Sequence, residues 1–306
     1  QRLQAESATG SCCDEYNVTA PDVVREMYRA KIHAGADVVL TNTFNSSPLR
    51  LSEFGMTAET ADHFNLAAVQ LLREAIAESD REIFIGGNVG PSGRVIGQSG
   101  TYEEVRASMA AQIRALVKAG VDVVCIETIF QSLEAQSAIE AARDVLAQEG
   151  ASIPIYATFA FMDRPPGPAA EFRTFFGDRV RDLMDGNHDN LAEREFVGLR
   201  ALGVDIVGAN CSIGVEDAVA VTREFRSYLE GHGLVGKVFL SAKPNSQVMS
   251  TMVYEDPDFV AQRFRRLVEA GADLVGFCCG STPDHIAAVA RQRDIASKGT
   301  PREGGL

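Results

Sequence analysis

The sequence predicts an α/β fold, a (β/α)8 TIM-type barrel whose first strand is expected upstream of Gln1. Three observations lead there. A pattern repeats along the chain: a helical segment, an Ala-Gly or similar break, a short β-branched run and a polar loop. The runs are almost continuously apolar, as strands buried on both faces of a parallel sheet are. Their starts fall 33–49 residues apart, the spacing of βα units. No composition shift marks a second domain, so residues 1–306 read as one.

Taken in order, the first stretch, 1–20, does not read as a strand. "NVTAPDVVREMYRA" reads instead as a capped helix, with Thr19 as N-cap and Pro21 in the first turn. Seven strand segments follow: "AGADVVLTNTF" from Ala34, "EIFIGGNVG" from Glu82, "AGVDVVCIET" from Ala119, "IPIYATFAF" from Ile153, "LGVDIVGANCS" from Leu202, "KVFLSAKPNS" from Lys237 and "AGADLVGFCCG" from Ala270. Seven visible units point to an eight-unit barrel. Between strands, "EEVRASMAAQIRALVKAG" puts Val105, Met109, Ile113, Leu116 and Val117 on one face and ends at the C-cap glycine Gly120. "DPDFVAQRFRRLVEAG" turns Phe259, Phe264, Leu267 and Val268 inward. An insertion at about 162–190 is too long for a βα loop and reads as a surface insertion or as a lid over the strand ends.

Composition narrows the function. The net charge of -13 opposes non-specific binding to nucleic acid or to an anionic membrane. No apolar run approaches the roughly 18 residues of a membrane span. Six cysteines in 306 residues are too few for a disulfide scaffold and imply a reducing, cytoplasmic setting.

Barrel active sites lie at the C-terminal ends of the strands. Those ends offer Asn42, Thr43, Asn88, Glu127, Thr128, Asp163, Asn210, Cys211, Lys243, Asn245, Cys278 and Cys279. Side chains alternate along a strand, so Cys278 and Cys279 face one point only if the strand ends at Cys278, and Gly280 permits that exit. Three thiolates suit tetrahedral Zn²⁺ and leave a fourth position open, the mark of a catalytic site. The competing reading makes Cys211, Cys278 and Cys279 small core residues. Cys125 reads as core, and Cys12 and Cys13 as incidental members of a frayed amino-terminal stretch. His188 and His285 read as surface or capping residues.

In this order, "GADVVLTNTF", "GNVGPSG", "DVVCIET", "GANCS", "KPNS" and "GFCCG" resemble the homocysteine S-methyltransferase family, from about Tyr16 to Ala290. The resemblance implies a (β/α)8 barrel and Zn²⁺ at Cys211, Cys278 and Cys279. It implies homocysteine as substrate, bound through Glu127 at its amino group, with Thr43 and Asn88 also assigned to substrate binding. It sets Asn45 where some members supply a weak further ligand. It implies methionine biosynthesis by direct methyl transfer, with no catalytic side chain beyond the metal site. Betaine, S-methylmethionine, S-adenosylmethionine and a methylcorrinoid all serve as donors in the family. The family's opening strand ends in an Asp-Gly string that clamps the amino acid, and that string is absent here. A chain starting at Gln1 is therefore expected to bind zinc, turn over little and associate through open strand edges. Partners on this reading are homocysteine, a small methyl donor, and a corrinoid protein or a second copy of the chain. Two rivals stand beside it: a non-catalytic zinc barrel serving a corrinoid protein, and a Schiff-base lyase using a desolvated Lys243.

Overall fold

The computed structural model describes residues 12–162, 171–248 and 253–299, with side chains given as far as Arg293. Asp163 lies outside the described residues. Each expected β-branched run forms a strand: β1 Val38–Leu40, β2 Phe84–Val89, β3 Val123–Ile129, β4 Ile155–Phe159, β5 Ile206–Asn210, β6 Phe239–Lys243 and β7 Leu274–Val275. They form one sheet in chain order, every neighbour parallel. Among the described residues the sheet holds these seven strands, and none lies between β1 and β7.

The long helices are α1 Pro21–His33, α2 Ala58–Ala77, α3 Tyr102–Ala119, α4 Ser132–Glu149, α5 Val215–Gly231, α6 Pro257–Glu269 and α7 Pro283–Gly299. In α3, Thr101 and Glu104 close a reciprocal capping box and Gly120 ends the helix in the left-handed region at φ 84°. Its stripe of Val105, Met109, Ile113 and Leu116 is fully buried, a contribution of about 1.5–3 kcal/mol for each side chain. The sheet curls until its ends share neighbours. Arg293 of α7 donates to Gly35 O at 3.2 Å and pairs with Asp37 just before β1, and Arg81 pairs with Asp37 from the other side.

Four expectations are corrected. The N-cap of α1 is Ala20, because Thr19 belongs to a preceding helical turn, Tyr16–Thr19, and its hydroxyl donates to Glu15 O. The stretch around Cys12 and Cys13 is not frayed: Cys12 packs with Leu51, Ala61 and Phe64, and Asp14 and Asn17 are buried. In α6 the buried stripe is Val260, Ala261 and Leu267, with Phe259 packed beside the core, while Val268 is 47% exposed. The i, i+7 step that buries Val260 and Leu267 turns Val268 one position out to solvent. The strand before the paired cysteines ends at Val275, although Cys278 N still donates to Pro244 O at 2.9 Å.

Among the described residues, no long helix follows β4 before β5. After the undescribed residues 163–170, the chain builds a short helix Val180–Asp185, an antiparallel hairpin of Asn187–Asp189 with Arg194–Phe196, and a turn of helix Leu199–Leu202. Phe172, Val180, Leu183, Met184 and Phe196 from this segment are buried in the main core.

Candidate metal centre

Three strand ends converge. β5 leads into Cys211, whose N–H donates to Lys243 O at 3.1 Å, so the chain leaves the strand while still tied to β6. Cys211 and Ser212 then take φ of 63° and 62°, a left-handed step that non-glycine residues adopt rarely. Beyond β7, Gly280 at φ 80° turns the chain sharply. A Cβ there would sit 2.6 Å from Gln247 N, so only glycine lets the two loops touch. Cys279 is fastened by its N–H to Asn245 Oδ1 at 3.1 Å and by its carbonyl to the N–H of Ser246. Gly208 of β5 explains the glycine of "GANCS": a Cβ would lie 1.9 Å from Ser241 O.

These turns gather the Sγ atoms of Cys211, Cys278 and Cys279 within 4.8 Å of one another. Cys211 Sγ and Cys279 Sγ stand 3.6 Å apart, and all six cysteines are free thiols. Two sulfurs on tetrahedral Zn²⁺ with bonds of about 2.3 Å lie roughly 3.8 Å apart, so the triangle fits zinc with little adjustment. The three thiols are mutually coupled through their short S···S contacts: hydrogen bonds from Cys278 and Cys279 hold the Cys211 thiol below the usual thiol range, and its two partners rise in return. Cys125, by contrast, sits in a core pocket with Val123 and Tyr156, and burial raises its thiol to about 12.

Two asparagines bear on the sulfurs. Asn210 accepts from Thr128 N at 2.9 Å, donates to Thr128 Oγ1 at 2.7 Å, and sets Nδ2 3.9 Å from Cys278 Sγ. The buried Nδ2 of Asn245 has no well-formed partner and faces Cys211, whose thiolate it favours.

Glu127 owes its position to a feature the sequence does not advertise. Ile126 pairs with Ala157 and Ile129 with Phe159, so Glu127 and Thr128 together oppose Thr158 in a β-bulge. Thr128 takes φ 62°, held there by Asn210. Glu127 Oε2 meets Lys243 Nζ in a close ion pair across the sheet interior, and Lys243 also lies 5.0 Å from the Tyr156 ring centroid. Desolvation alone would lower the Lys243 pKa; Glu127, with Tyr156 and Cys125, outweighs it and raises it. A carboxylate that favours the charged ammonium works against the neutral amine that a Schiff-base lysine needs.

The other expected residues are tied up more tightly. Thr43 is fully buried and its hydroxyl donates to the backbone carbonyl of Asn88 at 2.7 Å, while Asn88 Oδ1 is one of the buried acceptors without a partner among the described residues. Asn42 is bound to Cys13 O and Asn17. Asn45 donates its N–H to Asp14 Oδ2 at 2.7 Å and accepts from Arg50. His285 is buried, accepts from Thr282 N at the start of α7 and bonds Glu255 O, while His188 pairs with Glu195 at the surface.

The family model for homocysteine S-methyltransferase matches residues 1–293. This chain belongs to the homocysteine S-methyltransferase family. Its fold is that of the homocysteine methyltransferase MmuM from Escherichia coli. The metallated form is 24% identical with a TM-score of 0.66, the match covering 91% of this chain and 87% of that one. The oxidised form is 23% identical over the same shares with a TM-score of 0.66. The apo form is 24% identical with a TM-score of 0.63, over 94% of this chain and 91% of that one. Among the described residues of this family member, no helix is long and apolar enough to cross a membrane.

Proposed function

We propose that this chain transfers a methyl group to the sulfur of homocysteine, giving methionine, with Zn²⁺ held by Cys211, Cys278 and Cys279. One observation carries the reading: in a chain of this family, three thiols from two strand ends meet within 4.8 Å. Zn²⁺ bound there would keep the substrate thiol deprotonated at neutral pH while three thiolates leave its sulfur electron-rich. Cys211, Cys278 and Cys279 supply the ligands, and Asn210 and Asn245 orient and polarise them. Glu127 receives the substrate ammonium through a charge-assisted hydrogen bond. The thiolate attacks the methyl carbon in line, the new S–C bond forming as the donor–methyl bond breaks with its electron pair left on the donor. No proton moves in that step, which agrees with a centre whose neighbouring groups are amides and one ion pair rather than a free base. The free thiols fit a reducing, cytoplasmic setting.

Protein purified under reducing conditions should carry about one Zn²⁺ per chain, and methylate homocysteine with one of betaine, S-methylmethionine, S-adenosylmethionine or a methylcorrinoid. Replacing all three cysteines by alanine should remove both metal and activity. Full zinc content in that triple variant would sink the assignment.

A further inference from the structure

We propose that the Glu127–Lys243 pair is the seat of an α-amino acid zwitterion, in which Lys243 binds the substrate carboxylate while Glu127 takes the ammonium. The inference rests on the function proposed above, from which only the Glu127 half follows. Lys243 ends β6 and Glu127 sits in the bulge of β3, so the pair spans the sheet interior at the end where the thiols gather. The two side chains are only 10% and 11% exposed. Glu127 is the hydrogen-bonding partner of the Lys243 ammonium among the described residues; its other close neighbour is the face of Tyr156. An ammonium has three N–H donors, so donors remain for an incoming oxygen.

Burying two charges costs several kcal/mol for each ion, recovered only when both are well paired. A zwitterion suits such a pair because it brings one charge of each sign. One internal contact is exchanged for two, Glu127 with the ammonium and Lys243 with the carboxylate. At no point is an unpaired charge left inside. The seat adjoins the thiols: the Lys243 carbonyl accepts from Cys211 N at 3.1 Å. In homocysteine two methylenes separate the α-carbon from sulfur, a short reach suited to neighbouring sites.

The test compares three thiols by calorimetric titration of the zinc-bound protein: L-homocysteine, 3-amino-1-propanethiol, which lacks the carboxylate, and 4-mercaptobutanoate, which lacks the ammonium. The wild-type chain should prefer homocysteine over each by roughly 10-fold or more, the scale of one charged hydrogen bond. Lys243→Gln should bring homocysteine and 3-amino-1-propanethiol to within about 2-fold of each other while keeping the preference over 4-mercaptobutanoate. Glu127→Gln should do the reverse, and Lys243→Arg should retain the wild-type pattern. If Lys243→Gln does not fold, the double variant Glu127→Gln/Lys243→Gln, which leaves no buried charge, should bind the three thiols alike. A homocysteine to 3-amino-1-propanethiol ratio unchanged in Lys243→Gln or in the double variant overturns the role of Lys243 alone. A wild-type protein that binds none of the three overturns the proposed function with it.

Discussion

Asp14 is a carboxylate shut away from water, accepting from Asn45 N and Ser46 Oγ at 2.7 Å each. Burial pushes its pKa up to about 6, with these hydrogen bonds limiting the rise. An unfolded aspartate titrates near roughly 3.9, so between about pH 4 and 6 the folded chain holds more protons than the unfolded one. Stability should therefore fall as pH rises through that window, by up to about 3 kcal/mol from this group. In Asp14→Asn the slope of unfolding free energy against pH should flatten there. Denaturant titrations at half-unit steps would check it, and an unaltered slope would assign the effect elsewhere. At the same scale, Glu127→Gln should weaken homocysteine binding by roughly 10-fold or more while zinc stays in place. Unchanged affinity in that variant would exclude the ammonium role. The chemistry of Glu127 is legible in "CIET" only through the family likeness. Its pairing with Lys243 is not, because the two lie 116 residues apart and only the curl of the sheet brings them together.

The elements that place the site are strand ends under local strain. Thr128, Cys211 and Ser212 all hold positive φ, which costs on the order of 1–3 kcal/mol apiece, and Asn210 secures the first of them. Asn210→Ala would leave the N–H and hydroxyl of Thr128 buried and unpaired. The expected loss is about 2–5 kcal/mol of unfolding free energy, measurable by urea denaturation, together with weaker substrate binding as the bulge relaxes. A change below about 0.5 kcal/mol would show that the amide does not hold the bulge. Gly280→Ala should force the cysteine loop away from Gln247 and lower zinc affinity by about 10- to 100-fold in competition with a chelator. The strands and the α3 stripe are readable beforehand, since β-branched runs and 3.6-residue periods are local properties. The bulge at Glu127 and Thr128 is not, because register is set by the neighbouring strand. The ordered start at Cys12–Thr19 also escapes a local reading, since its anchors, Asn42, Asn45 and Phe64, lie elsewhere in the chain.

At the scale of the whole molecule, α7 is joined to the turn before β1 where Arg293 reaches Asp37 and Gly35 across more than 250 positions of sequence. Contacts that close so long a loop carry the largest entropy cost, so this seam should form late in folding and open first in the native state. β7, two residues long, borders it, and Cys278 and Cys279 follow directly. An ion shared by Cys211 on one side and Cys278 and Cys279 on the other would act as a clasp on the least protected part of the molecule. Metal loss should then speed amide hydrogen exchange across residues 272–281 while leaving β3 and β4 unchanged. Occupancy of a centre built for chemistry would thereby also decide how often the molecule breathes, and a demetallated chain would meet proteases first along this line.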